Sequence, residues 1–549
     1  MIEEKNKIEQ PPAGMLRMLA QASKGILALS LACGIISGVS SVVLLSMVND
    51  LLDGNAAAEG YPLPFFVGVL VIMTISGLAS NIFLVRLGQN SMFKMRMFLS
   101  RQILATPFRK LEEIGSHRIY AMLADDIQSL GNATQVLPGF AISVATLVGG
   151  LVYLAWLSPT IFLLTFAFIA IGVAIFNGLA RNAERYLEKA REVNDSLFSH
   201  LRAITFGTKE LKLNRLRRTA FLTNELEPTG LAYQENNIRG LTKFAIADEW
   251  GQLLFFIVIG LLIFIRPTSD TLDNATLVGS VVTVIYLMGP LGMILNMLPV
   301  FALADVAAKK ISSLQLNLIP STSIVSSGSS AGLEAPLTAI ELEGVTYSYL
   351  RETEDKFTLG PIDLVLRPHE IVFLIGGNGS GKSTLLKMLT GLYVPENGEV
   401  RANGKCVISE DDREEYRQLF SVIFADFHLF ETLPQEKVLN ADKQLIKYLE
   451  LLELSEKVTV IDGRFSTILL SQGQRKRLAL LCAYLEDRPI YVFDEWAADQ
   501  DPLFKEIFYS QLLPDLKRRG KAVLLATHDD RYFHLADRIV KLDSGRLVS

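Results

Sequence analysis

Cysteine is nearly missing from this chain of 549 residues: there are three, Cys33, Cys406 and Cys482. Their spacing fits neither a metal-ligand pattern nor a disulfide framework. They are expected as small buried hydrophobes in a reducing compartment. Charge of one sign is also scarce. The formal net charge is only −5, and without a basic excess no general nucleic-acid partner is expected. The polar N-terminal stretch carries no cleavable signal pattern. What the chain has in quantity is apolar sequence. Half of its residues are hydrophobic and mean hydropathy is +0.31, high for a wholly soluble protein.

The apolar residues gather in six long stretches, near 24–48, 63–88, 133–157, 159–180, 246–266 and 275–304. A hydrocarbon core of about 30 Å needs roughly 20 helical residues, so each is long enough to span a membrane. The first connection carries Asp50, Asp53 and Glu59 without Lys or Arg, the third is the turn Leu157-Ser158-Pro159, and the fifth sets Arg266 against Asp270 and Asp273. The second carries Arg86, Lys94, Arg96, Arg101, Arg109, Lys110 and Arg118, and the fourth carries Arg181, Arg185, Lys209, Lys212, Arg215, Arg217 and Arg218. Positive residues favour the cytoplasmic side, which places these two connections and both termini there. Both connections are long and rich in helix formers, so they read as helical extensions of the spans. A turn in each, Gly115–Tyr120 and Thr205–Lys209, is a candidate contact with a soluble domain.

Within the spans, Gly34 and Gly38 form a small-xxx-small pair that marks either a dimer face or tight packing inside one subunit. Pro290 and Pro299 are candidate kinks in the last span. Asp248 and Glu249, at the start of the fifth, either face a water-filled cavity or lie at the interface. Asn81, Gln89, Asn177 and Asn296 are weaker candidates of the same kind.

Residues 319–337 are rich in Ser, Gly and Pro and read as a flexible linker. The expected organisation is a membrane domain over 1–318, this linker, and a nucleotide-binding domain over 338–549. In the last part short apolar runs such as Ile371–Ile375, Ile490–Phe493 and Ala522–Ala526 alternate with charged helical stretches. That alternation argues an α/β domain with a largely parallel sheet.

The run Gly376-Gly377-Asn378-Gly379-Ser380-Gly381-Lys382-Ser383-Thr384 satisfies GxxxxGK[ST] directly after an expected strand, the context a phosphate-binding loop requires. Backbone N–H groups of such a loop wrap phosphate oxygens, and the helix N-terminus behind it adds partial positive charge. Lys382 is expected at the β- and γ-phosphates of ATP and Ser383 at Mg²⁺. Four apolar residues then lead into Asp494 and Glu495. Asp494 fits a second Mg²⁺ contact, and Glu495 is placed to polarise the attacking water as general base.

Together with Leu470-Ser471-Gln472-Gly473-Gln474, these motifs resemble the half-size exporters of the ATP-binding-cassette (ABC) family. The resemblance covers nearly the whole chain. It implies a six-span α-helical membrane domain of the type IV exporter kind, followed by an α/β P-loop nucleotide-binding domain. Leu470–Gln474 resembles the LSGGQ signature with Gln472 in place of a glycine; in the family Ser471, Gln472, Gly473 and Gln474 would contact ATP held by a second subunit, which implies a homodimer with two composite sites. By the same resemblance Tyr349 matches the aromatic that stacks on adenine, Asp501 the acid that crosses to the partner domain, and His528 the histidine that senses the γ-phosphate. One position departs. Where the family usually has a glutamine this chain has Ala425, with Asp426 next, and Asp426 is the candidate replacement at the metal.

The segments around Phe357–Leu364, the Gly-Gly-Asn start of the loop, the Ala-Asp-Phe-His-Leu-Phe string and the run Asp494-Glu-Trp-Ala-Ala-Asp-Gln-Asp-Pro502 resemble the bacterial cyclic-peptide exporters, including those for pyoverdine-type siderophore precursors. Where the wider family has Pro-Thr-Ser-Ala-Leu, this chain has Trp496–Gln500. The resemblance implies export of a peptide-like small molecule, with a pyoverdine precursor first, through the bacterial inner membrane, in contact with membrane lipid and with possible accessory export proteins. The short stretch ahead of the first span lacks cysteine, so no leader-cleaving protease domain is expected. A half-size lipid or multidrug exporter is the alternative, since it shares every ATP motif.

Overall fold

The computed structural model describes residues 24–52, 63–264, 274–317, 336–350, 356–433 and 442–548. Most of the expected linker 319–337, much of the first and fifth connections and the side chain of Asp248 lie outside the described residues. The chain divides into two compact units: Met1–Ser100 with His117–Asn317, and Arg101–Ser116 with Leu318–Ser549.

Among the described residues of the chain, six helices are long and apolar enough to cross a membrane: Gly25–Leu51, Leu63–Ala105, Arg118–Leu157, Pro159–Phe206, Arg215–Phe264 and Thr276–Ser312. The second, fourth and fifth run 43, 48 and 50 residues, or about 65–75 Å at the helical rise. That is more than twice a hydrocarbon core of about 30 Å. The expected helical extensions are therefore continuous with their spans. The third and fifth spans each contain one wide π turn, at Met122–Asp126 and Leu222–Leu226. Between the third and fourth spans, Ser158 caps the new helix by accepting from Ile161 N at 3.4 Å, with Pro159 in the first turn, where its missing N–H removes no helical bond.

Small residues set the close contacts. A Cβ on Gly38 would lie 2.6 Å from Ala145 Cβ and 2.8 Å from the Ile142 carbonyl, and one on Gly34 would lie 3.2 Å from Ser80 Oγ. The glycine pair is thus used inside one subunit, Gly38 against the third span and Gly34 against the second and third. Hydroxyls join the same region: Ser41 and Thr146 share a hydrogen bond of 3.1 Å, and Ser80 Oγ donates to the Ser30 carbonyl at 2.8 Å. Phe176 and Ala180 of the fourth span and Ala247, Phe255 and Val258 of the fifth form one buried cluster with Val284 and Leu287 of the sixth. Glu249 is exposed, and Pro290 and Pro299 lie inside the sixth helix.

In the second unit, strands β1 (Ile340–Leu350), β2 (Lys356–Leu366), β4 (Asn397–Ala402) and β5 (Lys405–Cys406) form a sheet of order β2-β1-β4-β5. A larger sheet combines β3 (Ile371–Ile375), β6 (Phe420–Ile423), β7 (Ile490–Asp494), β8 (Ala522–Ala526), β9 (Arg538–Asp543) and β10 (Arg546–Val548) in the order β10-β9-β3-β8-β7-β6. The three strands expected from apolar runs are the neighbours β3, β8 and β7, paired in parallel. Their residues are buried on both faces, as a parallel sheet covered by helices requires.

The same unit contains a helix from the second connection, α1 (Phe108–Ile114), which packs on α2 (Lys382–Leu389). Glu112 accepts from Tyr393 Oη at 2.5 Å and pairs with Lys387 Nζ at 2.8 Å. Arg109 reaches Glu396 at 3.5 Å and lies over the Tyr347 ring. Tyr347 in turn stacks on Tyr393 with centroids 4.5 Å apart. Burial, joined by the Glu112 carboxylate, raises the Tyr393 hydroxyl pKa well above its ordinary value, and Tyr347 is pushed up to about 12, mainly by burial. The contact therefore precedes the expected turn Gly115–Tyr120: the docking residues are on α1, and Gly115, at φ 85°, ends that helix.

Two outcomes follow from this packing. Gly38→Val should destabilise the membrane unit by about 1–3 kcal/mol, the cost of overpacking a filled contact. Gly68→Val, where an added Cβ meets nothing within 4 Å, should be neutral; thermal unfolding of the two proteins in detergent checks the pair. Glu112→Ala should leave basal ATP turnover within about twofold while abolishing its stimulation by cargo, measured in lipid vesicles. A stimulated rate equal to wild type would dismiss the contact as decorative.

Candidate active site

Strand β3 ends at Ile375, and the chain turns through Gly376–Gly381 into α2. A Cβ on Gly376 would lie 2.2 Å from the Leu542 carbonyl, so backbone alone fits there. Gly381 adopts φ 104° at the helix cap, a region that favours glycine. Lys382 is buried at 6% exposure. Its ammonium donates to the carbonyls of Gly376 and Gly377, at 2.9 and 3.2 Å, which offsets the cost of removing a charge from water. Gly377, Asn378 and Gly379 are exposed, Thr384 is half-buried in the first helical turn, and Ser380 is buried with no partner for its hydroxyl among the described residues. A buried hydroxyl at this point of a phosphate loop is placed to donate to a phosphate oxygen.

Ser383 Oγ donates to Asp494 Oδ2 at 2.9 Å. Burial raises the Asp494 pKa; the Ser383 hydrogen bond and the backbone of Ala425 act in the opposite direction, favouring the charged form. A hydroxyl beside a carboxylate is a hard-oxygen pair, and Mg²⁺ takes one or two such protein ligands together with phosphates and water. These residues fit that ion. Asp426 is exposed and makes no hydrogen bond or ion pair among the described residues; at the position of the missing glutamine it is the Ala425 backbone that hydrogen-bonds Asp494.

Glu495 Oε1 lies 2.9 Å from His528 Nε2 and 3.6 Å from Lys382 Nζ, while Lys382 Nζ is 3.0 Å from the same His528 nitrogen. One ring nitrogen cannot both donate to Glu495 and accept from Lys382. The histidine tautomer therefore selects its partner. Glu495 itself has φ 50° and ψ 34°, a left-handed conformation uncommon for a residue with a side chain. Glu495, Ala498, Lys505, Thr527, His528 and Asp529 line an open cleft.

The structure thus gathers Lys382, Ser383, Asp494, Glu495 and His528. Tyr349 lies on β1 opposite Phe357, with ring centroids 5.4 Å apart; Phe357 is the side chain nearest a Cβ built on Gly381. Ser471 and Gln474 form a reciprocal capping box that opens α3 (Gln472–Glu486). Gln472 and Gly473 touch the segment after Glu495: Gln472 Nε2 donates to Asp499, and a Cβ on Gly473 would lie 2.9 Å from the Asp499 carbonyl. Asp501 caps α4 (Pro502–Ile507), accepting from Phe504 N at 2.9 Å, and pairs with Arg477. Sequence reasoning missed Lys476, Arg477 and Asp499. The available signal was spacing, since Lys476 follows Gln472 by one helical turn and shares its face.

Ser383→Ala removes the hydroxyl that meets Asp494. The expected result is a Mg²⁺ requirement raised tenfold or more (about the range for weakened metal sites), read as ATP turnover against free Mg²⁺. Because the Asp494 pKa is raised, protonation competes with the metal at higher pH than at a surface aspartate. The wild-type Mg²⁺ requirement should accordingly climb as pH falls.

Comparison with known proteins agrees with this geometry. Residues 359–498 match the ABC transporter model and residues 25–295 the ABC transporter transmembrane region. ATP-binding protein SyrD of Pseudomonas syringae pv. syringae is 36% identical, covering 100% of this chain and 98% of that protein. The ATP-dependent lipid A-core flippase of Dechloromonas aromatica (strain RCB) is 26% identical over 94% of this chain and 90% of its own length. A probable ABC transporter ATP-binding/permease protein of Haemophilus influenzae is 24% identical over 83% of each. With a membrane region and a Mg²⁺-dependent ATPase in one multi-pass polypeptide, the chain belongs to the ABC transporter family, as a half-size exporter that couples ATP hydrolysis to transport.

Proposed function

We propose that this exporter moves a peptide-like secondary metabolite, a cyclic peptide or siderophore precursor with pyoverdine precursor first, from cytoplasm to periplasm by alternating access. It acts in the bacterial inner membrane with its nucleotide-binding domain and termini cytoplasmic, as a homodimer in which two chains complete two ATP sites. The domain limits are those read from sequence, 1–318, 319–337 and 338–549. The observation that carries the ATP-driven part is the meeting of Lys382, Ser383, Asp494, Glu495 and His528 within hydrogen-bonding reach. The cargo rests on the cyclic-peptide-exporter resemblance of the run through Trp496. That tryptophan is fully buried and stacks on Phe508 at 4.3 Å.

In this reading the loop Gly376–Gly381 offers backbone N–H groups to phosphate, and Lys382 exchanges loop carbonyls for phosphate oxygens. Ser383 and Asp494 hold Mg²⁺, with Asp426 a further candidate in place of Ala425. The metal, when bound, neutralises phosphate charge. Glu495 takes the proton of the attacking water, and His528 holds the carboxylate in place by its hydrogen bond. Tyr349 stacks on adenine, and Thr384 lies at the helix start beneath the phosphates. Ser471, Gln472, Gly473 and Gln474 serve the ATP of the second chain, and Asp501 faces that chain. ATP shifts the dimer toward its closed state by binding that state better. A lipid exporter is the second reading, favoured by relatives named lipid A-core flippases that match nearly the whole chain.

The test compares wild type with Glu495→Gln. Turnover should fall about 10²-fold or more, the loss expected for a general base. Mass spectrometry of cytoplasmic and periplasmic fractions should find a cyclic or acylated peptide trapped in the cytoplasm of the variant. An unchanged peptide profile with altered lipid distribution would replace the peptide reading by the lipid one. Asp426→Ala with an unaltered Mg²⁺ requirement would remove Asp426 from the metal.

A further inference from the structure

Two stretches depart from the ABC pattern, and the structure joins them. Gln472 stands where the signature has glycine, and Asp499 and Gln500 stand where alanine and leucine are usual. Gln472 Nε2 donates to Asp499 Oδ2 at 3.1 Å. Gln500 Nε2 donates to the Gly473 carbonyl at 3.0 Å, and its Oε1 accepts from Arg477 Nε at 3.0 Å. Glycine, alanine and leucine carry no side-chain group for any of these bonds.

Lys476 is at the centre. Its side chain is 4% exposed, and its ammonium lies 2.6 Å from Asp499 Oδ2 and donates to the Glu495 carbonyl at 3.0 Å. A buried ammonium needs such partners, so its position is dictated by these oxygens. The Lys476 carbonyl in turn accepts from Trp496 Nε1 at 3.0 Å. The Glu495 carbonyl and the Trp496 indole are thus both bonded to the same residue of α3. On its other side the Glu495 amide donates to the Ala526 carbonyl at 3.1 Å. These bonds hold Glu495 in its left-handed conformation, with the carboxylate at His528.

We propose that Lys476 is a positioning residue for ATP hydrolysis: steadied by Asp499, which Gln472 anchors, its ammonium clamps the Glu495 carbonyl and sets the direction in which the carboxylate is presented. Since α3 begins at the signature segment, a shift of that segment reaches Glu495 through one side chain. The inference rests on Glu495 acting as the base.

The test uses the full chain in lipid vesicles, with kcat and KM for MgATP measured separately and the stoichiometry of a non-hydrolysable ATP analogue as a count of folded sites. Lys476→Met should lower kcat tenfold or more, leave KM within twofold and keep full stoichiometry. Asp499→Ala should lower kcat severalfold, and the double variant should be no slower than Lys476→Met alone. If Lys476→Met does not fold, Asp499→Asn, at a partly exposed residue, should lower kcat severalfold without change in KM. A kcat within twofold of wild type, a kcat that falls only in step with stoichiometry, or losses that multiply in the double variant each overturn the clamp. Glu495→Gln is the control: if it still turns over, the base assignment fails, whereas an inactive Glu495→Gln beside a fast Lys476→Met defeats the clamp alone.

Discussion

A single short helix ties the soluble unit together, and the hydrogen bond from Ser383 to Asp494 is where it is anchored. That bond fixes the first turn of α2 against the strand that ends in the acidic pair. Lys382, one residue earlier, is held by loop carbonyls and approaches Glu495 and His528. About a turn and a half further along, Lys387 meets Glu112 of a segment that belongs by sequence to the connection between two spans. The helix has its partially positive end toward the phosphate loop and a lysine near its negative end, each favourable to the macrodipole. The phosphate loop and the charged contact with Glu112 thus sit at opposite ends of one helix.

The sheet explains why acids and lysine converge. In parallel α/β sheets ligand sites form beyond the carboxyl ends of the strands. Here β3 leads into the loop, the neighbouring β8 into Thr527 and His528, and β7 into Asp494 and Glu495. Burial at those ends has electrostatic consequences: it raises the Asp494 pKa and makes the unpaired Ser380 hydroxyl costly unless something binds there.

Much of this was legible beforehand. The spans were readable because membrane helices must be apolar over their full length, and the three inner strands because a strand buried on both faces is an uninterrupted apolar run. The phosphate loop and acidic pair were readable because their chemistry tolerates few residue types. What escaped was carried by features whose pattern is weak until burial is known. Lys476 looks like any charged residue of a helix until its burial is seen. Arg109 counted only as one of the positive charges of the second connection, and the docking contact was sought in the turn that follows. The role of Ala425 is played by backbone, which every residue possesses. Asp501 was expected to face a second chain, and within its own chain it also caps α4 and pairs with Arg477.

The glycine contact at Gly38 has a mechanical meaning. Backbones that approach within a methyl group of each other, and are cross-linked by the Ser41–Thr146 bond, cannot slide without opening a void, and close-packed interiors resist voids. The first and third spans are thus one stiff plank. The sixth span lies against the third, where a Cβ on Gly150 would meet Leu287 at 2.5 Å, and so joins that plank, while the fourth and fifth, which share buried Phe176, Ala180, Ala247, Phe255 and Val258, make a second. A bundle of six helices is in this way reduced to few degrees of freedom, so that motion during a transport cycle is confined to the seams between planks rather than spread through every helix.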